Sequence, residues 1–257
     1  MRSFGRSLLL FALVAACYAS PARAQVNVES VRKQLDTKEF DTRLRFSLAG
    51  YAGNTQGIVL GTSALFGFHE GRHLGFATAS ADYAKFAGVV SVNKSFLHLR
   101  HNYELYDFMW WEEFGQLETD KFRRIQLRAV VGTGPRFKIW QSKQWMDLFA
   151  GFSYMLEHTS VDPSTEATEP ATVHRLNTYV AFTGRPDERI VLSTILYYQP
   201  RFDQWNDAHL LNVFSVEFKV TELLQSRFDA TTRYESKTPT GVKHGDLELK
   251  SSLELKW

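Results

Sequence analysis

Histidine, aspartate and glutamate are the side chains of this sequence most able to do chemistry, so their spacing comes first. In His98-Leu99-Arg100-His101 two imidazoles sit three residues apart, but on an extended chain they point to opposite faces and cannot chelate one ion. Asp203, Asp207 and His209 are near enough in sequence to gather a cation, although loop carboxylates are ordinarily just solvated. Nucleophilic catalysis needs a nucleophile, a base and an orienting group at one place, and the chain has no Gly-x-Ser-x-Gly elbow. Gly132-Thr133-Gly134-Pro135-Arg136 lacks the spacing of a phosphate-binding Walker loop. The expectation is therefore no catalytic residue, no metal and no cofactor. The rival reading is a barrel enzyme of lipase or protease type, its site at the outer rim between Thr159 to Thr172 and Arg201 to His209.

What remains is charge in rows. Arg124, Arg128, Arg136 and Lys138 share one phase of an alternating segment, and Glu112 and Glu118 precede them on the neighbouring one. Arg227, Asp229 and Arg233 alternate with Phe228, Ala230 and Tyr234. Asp246, Glu248, Lys250 and Glu254 alternate with Leu247, Leu249, Leu253 and Leu255. If these last two segments pair, one register sets Arg233 beside Asp246 and Asp229 beside Lys250. A shift of two sets Arg233 beside Glu248 and Arg227 beside Glu254, and either gives cross-strand ion pairs. The final segment is also expected to meet Arg43 and Arg45 of the first.

Rows of this kind need long strands to carry them. From about Asp41 onward the pattern predicts roughly twelve strands separated by turn signals. They fall near 42–52, 57–68, 73–84, 89–104, 108–118, 124–139, 145–158, 173–184, 189–201, 208–220, 223–235 and 245–257. Strands of about ten residues suit a tilted bilayer crossing, and an even number lets every backbone group pair in a ring. The predicted fold is all-β: a closed antiparallel transmembrane β-barrel of about twelve strands, with apolar residues to lipid and the charged rows lining the lumen.

Connections and aromatics agree. The odd connections include the longest, Ser160 to Pro170 and Ser236 to Gly245, and the even ones are short, as expected if the odd ones face outward and both termini lie in the periplasm. Trp110, Trp111, Trp140, Trp145 and Trp257 lie near the short-turn side, where a membrane-interface belt belongs. Glu113 fits poorly. It shares a face with Trp111 and Leu117, which predicts a bulge near Trp110 to Glu113 or another inside-outside assignment.

The segment before the strands resembles a secretory signal peptide: Arg2 and Arg6, an apolar run from Leu8 to Ala16, then Pro21 and Ala22-Arg23-Ala24. Cleavage after Ala24 is expected, leaving residues 25–40 as a short, partly helical periplasmic segment before a barrel at 41–257. Cys17, the only cysteine, offers lipoprotein processing as the weaker alternative. With 30 basic against 28 acidic residues in 257, charge gives no case for nucleic acid.

The stretch from Val90 to Phe137 is similar to the salt-induced outer-membrane protein family, the YdiY-like proteins. The likeness rests on Arg100-x-x-Tyr103, Glu112-x-Phe114-x-Gln116, Asp120-x-Phe122, Arg128 and Gly132-x-Gly134, with Ala49 to Thr55 and Gly245 to Trp257 at the two ends. That resemblance implies an outer-membrane barrel of unassigned activity, and it offers no catalytic or binding residues to carry over. Residues and resemblance together lead to the expectation of a monomer that is a small-solute channel or an envelope-stress structural protein. Its expected partners are outer-membrane lipid and, during biogenesis, the barrel-assembly machinery, for which Leu253, Leu255 and the terminal aromatic Trp257 form the expected signal.

Overall fold

A computed structural model of the chain describes residues 39–51, 57–142, 145–165 and 171–256. The expected signal peptide and periplasmic segment, and Trp257, lie outside the described residues. Twelve strands follow one another: β1 (Phe40–Tyr51), β2 (Gly57–Glu70), β3 (His73–Phe86), β4 (Val89–Tyr106), β5 (Met109–Asp120), β6 (Ile125–Gln141), β7 (Met146–Val161), β8 (Thr172–Asp187), β9 (Ile190–Pro200), β10 (Ala208–Lys219), β11 (Leu224–Glu235) and β12 (Gly245–Lys256). Each pairs antiparallel with its sequence neighbours, and β12 returns to β1, so the sheet closes into a transmembrane barrel with no free edge.

Alternation becomes topology here. The pleat sends successive side chains to opposite faces. Along β12, Glu248, Ser252 and Glu254 are buried inside, and Leu247, Leu253 and Leu255 are exposed on the outer wall. Along β1, Asp41, Arg43 and Arg45 turn in, and Phe46 and Leu48 turn out. Leu60, Phe66, Leu99, Val131, Phe152, Val180 and Leu196 carry the exposed apolar surface round the ring. An apolar exterior around a charged interior is the amphipathicity of a membrane barrel, the inverse of a soluble one.

The two ends differ. At one end, called here the turn end, short connections such as Gly71 to Arg72 and Asp107 to Phe108 join the strands. The other, the loop end, carries the connections around Arg201 to Asp207 and Ser236 to His244. Exposed Trp111, Trp140, Trp145, Tyr106 and Phe108 gather at the turn end around β4 to β7, forming one arc of an aromatic belt. Trp110 does not join them. It turns inward and packs edge-on against Phe149 with ring centres 5.9 Å apart.

One register irregularity touches the stretch where the Glu113 mismatch predicted a bulge: between Glu104 and Tyr106 of β4, opposite Trp110 and Met109 of β5. A second lies at Glu118/Asp120 against β6. Neither turns Glu113 inward, and it keeps its outward phase opposite His101. A further shift at Ile125/Leu127 turns Ile125 into the core instead of toward lipid.

Candidate functional site

The lumen is where the charged rows converge, and side chains bridge it. β5 and β11 stand half a ring apart. Nevertheless Arg123, in the turn between β5 and β6, donates to Glu118 at 2.7 Å and to Glu235 of β11. Glu118 lies 3.8 Å from Arg233 of β11, and Arg128 lies 3.6 Å from Glu118 and 2.8 Å from Glu157. The network continues through Arg175, 3.3 Å from both Glu157 and Asp207, to Arg201, which holds Asp207 at 3.1 Å and Asp203 at 2.6 Å. All these strand residues lie toward the loop end. On the opposite wall, Lys94 of β4 faces Glu248 of β12 at 3.7 Å and Lys250 reaches Asp82 of β3 at 2.7 Å.

The turn-side half is filled differently. From β4 to β9, arginines lie against aromatic rings. The Arg136 guanidinium is 4.0 Å from the Phe149 ring centre, and it donates to the Tyr179 hydroxyl at 3.1 Å. Tyr179 in turn donates to Glu112, which also stands 3.7 Å from Arg100 and 3.9 Å from Arg136. Arg100 lies 5.2 Å from the Phe114 ring centre, and Lys138 lies 5.3 Å from that of Trp110. Small residues make the room: a side chain at Gly151 would collide with the Tyr179 ring, and one at Gly132 with Phe114. Beside this, Glu254 takes Arg43 at 3.2 Å and Arg45 at 2.6 Å across the β1–β12 seam, and Arg227 pairs with Glu217 and, at 2.8 Å, with Asp229.

Of the two registers open for the last hairpin, the structure takes the first: Arg233 opposite Asp246 and Asp229 opposite Lys250. Glu112, Glu118, Arg128, Arg136, Lys138, Arg227, Asp229, Arg233, Glu248, Lys250 and Glu254 all turn inward. Arg124 does not. It sits in the turn with φ of 60°, its half-exposed side chain 3.7 Å from Asp162, and Arg123 occupies the interior in its place. The strand starts at Ile125 with a bulge, and that shifts the phase by one residue. Leu253 and Leu255 face outward.

Sequence spacing missed Arg123, Glu157, Arg175, Arg100 and Tyr179. The last four are on the inward phase of their strands, so alternation was the available signal. Asp203 and Asp207 are committed to arginine, and among the described residues no three His, Cys, Asp or Glu side chains are placed to hold a metal. At the rim, the Arg201 hydrogen bonds hold the Asp203 carboxyl below the usual carboxylate range despite partial desolvation. Ser164, through its hydroxyl and its backbone N–H, does the same for Asp162. Burial opposes the charge on Arg123, but Glu235 and Glu118 outweigh it and raise that group. A cavity of about 20 Å³, lined by Gln116, Arg128, His209 and Arg233 among others, has room for about one water.

Residues 44–257 match the family described as "Protein of unknown function, DUF481". The chain belongs to that family. No curated protein matches its sequence. Among solved structures it is similar to the NanC porin (TM-score 0.47, 8% identity, covering 84% of this chain and 97% of that one). It is also similar to the KdgM porin in complex with disordered oligogalacturonate (0.45, 6%, 84% and 98%). A third is the translocator domain of the autotransporter NalP from Neisseria meningitidis (0.43, 10%, 98% and 98%).

Proposed function

We propose that this DUF481 protein is a bacterial outer-membrane barrel that rests closed, a structural and non-enzymatic element of the envelope. The observation that carries this reading is the pair of bridges Arg123–Glu235 and Glu118–Arg233, which join opposite walls of the ring near the loop end. A lumen crossed by buried ion pairs at one level and packed with arginine on aromatic rings at another is built to stay shut. The resemblance to salt-induced outer-membrane proteins supports a role under envelope stress. The signal peptide, delivery by the barrel-assembly machinery and a monomeric state belong to the same proposal.

One observation favours a second reading, a gated small-solute channel. Arg123 reaches across the lumen from a turn rather than from a strand, so swinging that turn would release a bridge without breaking the sheet. Planar-bilayer recording separates the readings. The native protein is expected to give no sustained conductance steps, and Arg123→Ala is expected to stay silent if the barrel is structural. Sustained steps from the native protein would overturn the closed reading; steps from the variant alone would promote the gated one.

A further inference from the structure

Near the turn end the lipid-facing wall carries a polar cluster that the lumen does not explain. Glu113 of β5 is directly opposite His101 of β4, whose Nδ1 lies 3.4 Å from the carboxylate. His101 Nε2 lies 3.0 Å from Nδ1 of His73 on β3, and the two imidazoles stack with centres 5.3 Å apart. The Tyr103 ring is 4.9 Å from that of His73. The Glu113 side chain is 61% exposed, so a carboxylate stands on the outer wall in the row next to Trp111 of the aromatic belt. An ionisable side chain there is unfavourable unless something other than acyl chain covers it.

From this cluster a groove of about 420 Å³ runs along the outer wall, away from the belt. In the row beside the cluster, Phe68 stands opposite Gly75, and Gly75 opposite His101. The next row toward the middle of the barrel is Phe66, Ala77, Leu99 and Gly115. The Phe68 ring covers Gly75, whereas the floor is open at Gly115, where a Cβ would meet nothing closer than the Val130 carbonyl oxygen at 3.9 Å. One end is therefore polar and acidic at interface level, and the other is apolar and directed toward the hydrocarbon.

We infer that this groove holds one phospholipid with a primary-ammonium headgroup, the ammonium on Glu113 and an acyl chain over Gly115 between Phe66 and Leu99. The charge complementarity selects the lipid. A carboxylate attracts an ammonium, repels a headgroup of net negative charge, and bonds a quaternary amine less directly because that has no N–H to donate. The His101–His73 pair stands beside the carboxylate to face the lipid phosphate. The level fits as well, since the short-turn end of such barrels is periplasmic, and the leaflet on that side is phospholipid.

The test places the full-length protein in nanodiscs of equal phosphatidylethanolamine, phosphatidylglycerol and phosphatidylcholine and measures retained lipid by native mass spectrometry. The expected result is one bound phosphatidylethanolamine, favoured by about fivefold, the worth of one exposed ion pair. Glu113→Gln should abolish that preference while leaving some lipid bound. Gly115→Leu, which fills the open floor, should remove the bound lipid altogether, and an unchanged heat-dependent gel shift in both variants would show an intact barrel. Equal retention of all three lipids, or a preference untouched by Glu113→Gln, would overturn the inference, as would preferred phosphatidylglycerol. A native dimer that Gly115→Leu dissociates would also overturn it by assigning the groove to a second copy.

Discussion

The two halves of the lumen solve one problem, buried charge, in two ways. Toward the loop end, arginines meet carboxylates from strands on the far side of the ring, as Arg123 meets Glu235 and Arg233 meets Glu118. Toward the turn end, between β4 and β9, Arg136 and Arg100 lie on the faces of Phe149 and Phe114 and share Glu112 with Tyr179. The first arrangement is mostly Coulombic and ties distant strands together. The second adds ring contacts and close packing, so it is less sensitive to ionic strength. The closed state is thus latched at one end and packed at the other.

The largest expected effect tests the packed half. Arg136→Ala removes a fully buried cation from Glu112, Tyr179 and Phe149 and should cost about 3–5 kcal/mol. Denaturant unfolding in detergent should give nearly the same loss at about 0.1 M and about 1 M salt. A loss that shrinks strongly with salt would mean that the two halves do not differ.

Arg123→Ala tests the latched half, with an expected loss of about 2 kcal/mol for its charged hydrogen bonds. Arg123 and its partners are buried, but less completely than Arg136, with Glu235 8% exposed near the loop end, so that loss should diminish somewhat as salt rises. An equal loss at both salt concentrations would place Arg123 in the packed class.

The smallest effect is at the rim. Asp203 has a folded pKa below its unfolded value, so its contribution to stability is present above about pH 4 and is lost as pH falls through the lower folded value. Hydrogen exchange across residues 201–207, corrected for intrinsic rates, should therefore rise on acidification through that window, and Asp203→Asn should remove the change. The segment around Phe149 and Tyr179 should show no such response, and an equal response there would erase the contrast.

The inside-outside pattern was readable almost residue by residue. Leucines of β12 face out and its charges face in because the pleat alternates locally, whatever the rest of the chain does. Reading failed where a bulge or turn changed the phase. Arg124 exchanged places with Arg123 when the strand began one residue later, and Trp110 left the belt for the lumen. Glu113 looked like an error of register, but its partner is His101 on β4, itself held against His73 on β3, and no spacing along a single strand reveals that chain of contacts.

By itself, the sequence determined the number and length of the strands, which face of each is apolar, and the placement of long connections at one end. These follow from periodicity and turn chemistry, which act over a few residues. Only the tertiary structure decided which charges meet. Arg123 and Glu235 are 112 residues apart and touch because the ring closes. The curvature that brings opposite walls within a side chain's reach is a property of twelve strands together, and no one of them encodes it.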